Sequence, residues 1–168
     1  MLLKTVGLSV IVSNGGYMDD LMRRIWKKDS NYNDEPDEEE GEWISILDSS
    51  DAGNLSTENT SVFFITGYMP NALDWEEGDC IGKELLSTKA AALIGDARLG
   101  YYFLNWEEKF DGGMHSIIYY FTNALTSGKS VGEALFKSFA YTTESDWYNA
   151  FSYGCLWGDP SLGLQEIK

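Results

Sequence analysis

The chain has 168 residues, which is enough for one domain that buries a full hydrophobic core. A formal net charge of −15 argues against nucleic acid as a partner, because phosphate binding needs clustered Lys and Arg side chains. The hydrophobic content of 43 % argues against disorder, and no apolar run reaches the roughly 18 residues that a membrane helix needs. We therefore expect a single folded domain over residues 1–168, with no membrane span.

The first third of the chain alternates apolar and polar segments. Val6–Ser13 predicts a buried strand, and Asn14–Gly16 predicts a tight turn after it. Asp19–Lys28 predicts a helix, since its apolar residues recur at helical spacing, with Asp early and Lys late. Residues 29–42 read as an acidic surface loop inserted into the domain. Trp43–Leu47 fits either a short strand or the edge of a helix.

The rest of the chain predicts strands that alternate with helices. The predicted strands are Ser61–Thr66, Lys89–Gly95 and Tyr148–Trp157. The predicted helices are Asp79–Ser87, Gly112–Thr126 and Ser130–Tyr141, the last two separated by a turn at Ser127-Gly128. This alternation predicts an α/β fold with a mostly parallel sheet flanked by helices. In such a sheet, function lies at the carboxyl ends of the strands, here Asn14–Gly16, Gly67–Asn71 and Gly95–Tyr101.

Several landmarks from residue 61 onward follow one another in a characteristic order. They are Phe63–Gly67, Ile81–Leu86, Ala90–Gly95, Asp96–Gly100, Gly112-Gly113, Gly132–Leu135 and Gly158–Leu162. This order and spacing resembles the gingipain-type cysteine peptidases. The resemblance implies a caspase-like three-layer α/β sandwich, with this chain equivalent to the C-terminal part of the peptidase domain. It also implies an extracellular or cell-surface location, although this chain shows no signal peptide.

The resemblance also indicates where the catalytic residues of the family would lie. The nucleophile position falls at Tyr68, with Gly67 as the next-best alignment, and the histidine position falls at Asn14 or Gly15. A tyrosine phenol, with a pKa of about 10, is a poor acyl-transfer nucleophile without strong activation, and an asparagine side chain cannot act as a base. Asp96 and Arg98 occupy the loop that walls the substrate pocket in the family. Arg98 either anchors a substrate carboxylate or pairs with a local acid such as Asp96.

The chain has two cysteines and one histidine outside these positions. Cys80 opens a predicted helix, Cys155 lies in a predicted buried strand, and His115 lies near the start of another helix. A thiol at a helix N-terminus has a lowered pKa, so Cys80 with His115 is the alternative thiol–imidazole pair. We expect the two not to meet, and the two cysteines give only weak support for a disulfide.

The acidic loop nearly fits the calcium-binding loop of helix-loop-helix sites. Asp34 replaces the glycine that makes the sharp turn of that motif, and Pro36 replaces an apolar residue. We therefore prefer a solvated loop, with Ca²⁺ as the alternative cofactor. The candidate oxygen ligands are Asp29, Asn31, Asn33, Asp37 and Glu40.

The sequence leaves three functions open. The first is a non-catalytic binding or structural domain related to the gingipain-type peptidases, with a protein or peptide partner. The second is a part of an active cysteine endopeptidase. The third is a calcium-dependent surface or adhesion module.

Absent upstream strands would leave a sheet edge open, which favours a homo-oligomer. Tyr119–Phe121 lines either a carbohydrate or peptide groove, or fills the core.

Overall fold

A computed structural model of the chain contains two sheets and four helices in the part that it describes. The described residues are 7–12, 15–17, 20–26, 30–32, 40–54, 61–67, 72–73, 80–88, 90–98, 111–141 and 155–164. Within these ranges, no helix has the length and apolar character that a bilayer crossing requires.

The central element is a mixed four-stranded sheet. Its strands are β1 (Gly7–Val12), β5 (Ser61–Thr66), β6 (Ala90–Gly95) and β7 (Leu156–Gly158), in the spatial order β1-β5-β6-β7. The first three strands run parallel, and β7 runs antiparallel to β6. The α/β fold predicted from the sequence is thus confirmed, with one antiparallel strand at the end of a mostly parallel sheet.

Helices cover both faces of this sheet. On one face, α3 (Met114–Thr126) and α4 (Val131–Ala140) pack over Phe64 and Ile94, which alternate along their strands with residues facing the other way. On the opposite face, α1 (Ser49–Asn54) and α2 (Ile81–Thr88) pack over residues such as Ile65. Each layer buries a separate apolar cluster, so β5 and β6 are covered on both sides, as their continuous apolar sequences require.

The predicted helix over Asp19–Lys28 is wrong. Residues in this segment form β3 (Asp20–Trp26), the centre of a three-stranded antiparallel sheet between β2 (Gly15–Tyr17) and β4 (Gly41–Asp48). The long β4 offers a ladder partner along the whole of β3, and such tertiary pairing overrides a local helical spacing. Two further predictions are wrong for the same reason. Gly15 and Gly16, predicted as a turn, lie in β2, and Gly41, predicted to belong to the acidic loop, begins β4.

Strand β1 is less buried than the sequence predicts. Val10 and Val12 are each 40 % exposed, and β5 is the only described strand that pairs with β1. By register, Val10 lies opposite Phe64 and shares its face of the sheet, where Phe64 is fully buried. Among the described residues, β1 is thus an edge strand despite its apolar sequence. The helices that cover β5 leave the side chains of Val10 and Val12 exposed.

Candidate functional site

The carboxyl ends of β1 and β5 lie side by side, as the sequence predicts for a parallel sheet. Val12 pairs with Thr66 at the ends of these two strands, and Ile65 pairs with Gly95 of β6. The chain therefore leaves all three strands at the same edge. In an open α/β sheet this edge is the usual location of a functional site.

Asp96 ties two of these strand ends together. Its side chain is fully buried, and its Oδ2 atom accepts a hydrogen bond of 2.9 Å from the backbone N–H of Gly67. A carboxylate that accepts from a backbone amide satisfies a donor that would otherwise be buried at the strand end. The role of Asp96 in the described structure is thus to fix the backbone immediately before Tyr68.

Arg98 lies just outside this buried contact. Its guanidinium is exposed and donates a hydrogen bond to the carbonyl oxygen of Ala97. The exposed position fits a group that meets solvent or a ligand, whereas Asp96 is buried within the fold. The two predicted residues of the pocket loop therefore differ in character, one structural and one accessible.

The predicted equivalents of the catalytic pair lie partly outside the described residues. Tyr68 and Asn14 lie outside the described residues, while Gly15 begins β2 and pairs with Met22. The nearest described residues before them are Val12, the last residue of β1, and Gly67, the residue after β5. The assignments of Tyr68 and Asn14 stay predictions.

The alternative thiol–imidazole pair is split between the two faces of the sheet. Cys80 is buried next to α2, and His115 is half-buried in the first turn of α3. Burial lowers the pKa of the His115 imidazole below its ordinary value and so favours its neutral form. Since α2 and α3 pack on opposite faces, this arrangement does not assemble a dyad from Cys80 and His115. Cys80 and Cys155 are both free thiols, so they form no disulfide.

Two landmarks of the sequence meet at the start of α4. The carbonyl oxygens of Pro160 and Leu162 accept hydrogen bonds from Gly132 N–H (2.9 Å) and Val131 N–H (2.7 Å). These are two of the amides that a helix N-terminus leaves without an intrahelical partner. A Cβ atom on Gly132 would lie 2.9 Å from the Cβ atom of Pro160, so only glycine admits the segment at this distance.

The same segment closes against the sheet through Gly158 and Asp159. Gly158 has a φ of +108°, and a Cβ atom there would lie 2.4 Å from the carbonyl oxygen of Ala91. Asp159 Oδ1 accepts hydrogen bonds from the N–H (2.8 Å) and hydroxyl (2.6 Å) of Ser161, which shape the turn. These bonds lower the pKa of the Asp159 carboxyl, the hydroxyl bond having the largest effect. Gly158–Leu162 thus connects the end of β7 with the start of α4 through non-covalent contacts.

The comparisons with known proteins give no relative. No protein-family model matches the chain, and no curated protein or solved structure matches it. The resemblance to gingipain-type peptidases therefore rests on the residues named above.

Glu40 closes the acidic loop from within. Its Oε1 atom accepts hydrogen bonds from the hydroxyl of Ser30 (2.7 Å), the N–H of Ser30 and the N–H of Asn31 (3.3 Å). Three donors on one carboxylate oxygen supply the positive charge density that a bound cation would otherwise provide. Glu40 is only 7 % exposed, whereas Asn31 is exposed.

The structure describes two of the five predicted calcium ligands, Asn31 and Glu40. Asp29, Asn33 and Asp37 lie outside the described residues, so the five-ligand site stays a prediction. In the described ranges, no three or more His, Cys, Asp or Glu side chains are grouped so as to hold a metal ion.

The segment Tyr119–Phe121, which the sequence assigns either to a carbohydrate or peptide groove or to the core, divides between the two: Tyr119 and Tyr120 line a groove between α3 and α4, whereas Phe121 is buried in the core. The groove has a volume of about 290 Å³ and is lined by tyrosine and lysine side chains together with Asn123. The sequence contains a signal for part of it, because Tyr120, Asn123 and Ser127 share the i, i+3, i+7 spacing of one helix face. The contribution of Lys137 and Tyr141 comes from a second helix and follows only from the packing of α4 against α3.

Proposed function

We propose that this chain is a non-catalytic domain related to the gingipain-type cysteine peptidases, and that it binds a protein or peptide partner. One observation carries the proposal. The ends of β1 and β5 are adjacent, yet the segments that follow them, residues 13–16 and 67–71, contain neither cysteine nor histidine. Thiol proteolysis needs a thiolate and a base beside it, so this edge lacks both reactive groups of the family.

We further propose that the four-stranded sheet is the C-terminal part of a caspase-like three-layer sandwich. The parallel order β1-β5-β6, the final antiparallel strand and the helices on both faces all support this assignment. The contact between α4 and Gly158–Leu162 adds support. Two distant landmarks of the resemblance, Gly132–Leu135 and Gly158–Leu162, form one structural unit.

The edge strand β1 is the proposed binding surface for the partner. Its sequence, Gly7–Val12, contains no charged residue and no proline, the two residue classes that commonly protect an edge from pairing. Val10 and Val12 present exposed apolar side chains beside a backbone edge that pairs with no strand among the described residues. An extended peptide adds to such an edge through main-chain hydrogen bonds, while its side chains contact the exposed valines.

The alignment of Asn14 and Tyr68 with the catalytic pair of the family is tested by introducing the histidine and the cysteine at these two positions. The proposal predicts that in the double variant Tyr68→Cys with Asn14→His the new thiol lies beside an imidazole that lowers its pKa and takes its proton. We expect a peptidyl thiol-reactive probe to label residue 68 about tenfold faster than in the single variant Tyr68→Cys, because the thiolate fraction rises. The rates are measured by mass spectrometry of the labelled peptide.

The single variant Tyr68→Cys is the matched control, since it carries the same thiol without the imidazole. A second pairing, Tyr68→Cys with Gly15→His, covers the alternative histidine position. Equal labelling rates in the single variant and both double variants would show that the two segments do not face each other, and the proposed relationship would fail.

A further inference from the structure

The groove between α3 and α4 has the composition of a ligand site, independently of the proposed function above. Its lining comes from α3, from α4 with its C-cap Tyr141, and from the turn between the two helices, whose apolar faces are buried against the sheet. A volume of about 290 Å³ is close to the lower end of the usual range for small-molecule sites, about 300–1,000 Å³. The groove is therefore large enough for one or two ring-sized units.

Three tyrosine rings form a continuous wall of this groove. Tyr120 stacks on Tyr141, with ring centroids 4.4 Å apart and planes at 18°, and contacts Tyr119 edge-on at 5.3 Å. The wall is accessible, because Tyr119 is 41 % exposed and Tyr141 is 51 % exposed. Exposed tyrosine clusters provide an apolar face and a hydroxyl together, which suits a ligand with both characters.

The groove also concentrates positive charge in an acidic chain. Lys129 and Lys137 both line it, although the whole chain has 12 basic residues against 27 acidic ones. The acid on α4 is Glu133, which accepts a hydrogen bond from Ser130 N–H in a capping box; that bond is the largest cause of its lowered pKa, and the positive charges of Lys129 and Lys137 lower it further. Two ammonium groups against one engaged carboxylate leave the groove suited to an anion.

We propose that this groove binds an acidic sugar unit, that is, a pyranose ring with a carboxylate. The ring face lies against the tyrosine wall, the carboxylate meets Lys129 and Lys137, and the ring hydroxyls hydrogen-bond to Asn123 and the tyrosine hydroxyls. An aromatic carboxylate would use the wall and the lysines but leave these amide and hydroxyl groups unmatched. A polyhydroxylated ring matches all three kinds of lining group.

The test is a calorimetric titration of the full chain with trigalacturonate, using maltotriose as the neutral sugar and benzoate as the aromatic anion. We expect trigalacturonate to bind and the other two to bind at least tenfold more weakly. Lys129→Gln and Lys137→Gln should each weaken binding about five- to tenfold, the loss of one charged hydrogen bond at a half-open site. Added NaCl should weaken it further.

Lys83→Gln is the matched control, because it removes the same charge from α2 on the opposite face of the sheet. The lysine substitutions change exposed or half-exposed side chains, and thermal melting checks that each variant folds. Tyr141→Ala should abolish binding by removing the stacked ring. No heat of binding with trigalacturonate, equal binding of maltotriose or tighter binding of benzoate would each overturn the proposal, as would equal losses in Lys83→Gln and Lys137→Gln.

Discussion

At the scale of single residues, the most constrained position is Gly158. Its backbone lies against Ala91 of the neighbouring strand, where a Cβ atom would meet a carbonyl oxygen at 2.4 Å and the Cα atom of Ala92 at 2.8 Å. Its φ of +108° adds a conformation that other residues adopt only with strain. The turn that follows β7 and contacts the start of α4 therefore depends on this one glycine.

We expect Gly158→Ala to lower the free energy of unfolding by about 2–4 kcal/mol, through overpacking against the backbone and through strain at positive φ. Chemical denaturation monitored by circular dichroism measures the change. Gly163→Ala is the matched control, because a Cβ atom there has no neighbour within 4 Å, and its effect should stay within about 0.5 kcal/mol. Equal effects at the two glycines would mean that β7 is not packed against β6 as described.

At the scale of elements, α4 is specified by its N-terminus. Ser130 is its N-cap, its hydroxyl accepts from Glu133 N–H (3.3 Å), and the Glu133 carboxylate accepts from Ser130 N–H (3.1 Å). The carbonyl oxygens of Pro160 and Leu162 occupy the remaining amides. A local capping box and a distant segment together define where this helix begins.

We expect Ser130→Ala to destabilise the protein by about 1 kcal/mol, since the N-cap hydroxyl is lost while the distant carbonyls still hold the first turn. Urea denaturation gives the value. Ser87→Ala on α2 removes an exposed hydroxyl that donates a hydrogen bond to the Glu84 carbonyl of its own helix, and it should have a smaller effect. A Ser130→Ala effect no larger than that of Ser87→Ala would contradict the capping role.

The elements that the sequence predicted correctly are those with strong local signals. Buried strands such as Ser61–Thr66 and helices bounded by caps, such as Val131–Ala140, need no partner to be recognised. Helix α1 also has a local signal in the sequence, because Asp48 accepts a hydrogen bond from Asp51 N–H and caps this short helix.

The antiparallel sheet β2-β3-β4 could not be predicted in the same way. The apolar residues of Asp20–Trp26 fit a helix as well as a strand, and only pairing with Gly41–Asp48 decides between them. The groove between α3 and α4 has the same limitation, since Lys137 and Tyr141 reach it through tertiary packing. In contrast, the edge formed by β1, β5 and β6 followed from the parallel order alone.

At the scale of the whole molecule, two of the described strands carry groups of exposed apolar side chains. Val10 and Val12 are exposed on β1, and Trp43, Ile44 and Ile46 are exposed on β4. Singly exposed apolar residues are ordinary, but groups on one strand indicate a surface that contacts another chain. This distribution favours association through strand edges.

We expect the protein to self-associate at high concentration and Val10→Lys to reduce that association, because a charge on an edge strand opposes pairing. Size-exclusion chromatography with light scattering measures the mass. Phe136→Lys is the control, since it removes a side chain that is 76 % exposed on α4 rather than on a strand. A clean monomer at high concentration, before any substitution, would rule out association through β1.

The central claim is that this chain has no activated thiol. The measurement that tests it most directly is the labelling rate of Cys80 and Cys155 in the native protein with iodoacetamide, read by mass spectrometry with and without calcium. Cys80 is only 1 % exposed, so we predict that it reacts far more slowly than in urea-unfolded protein, and that Cys155 reacts no faster than an ordinary thiol. Labelling of Cys80 faster than the unfolded control, in either condition, would show an activated nucleophile and would contradict the account.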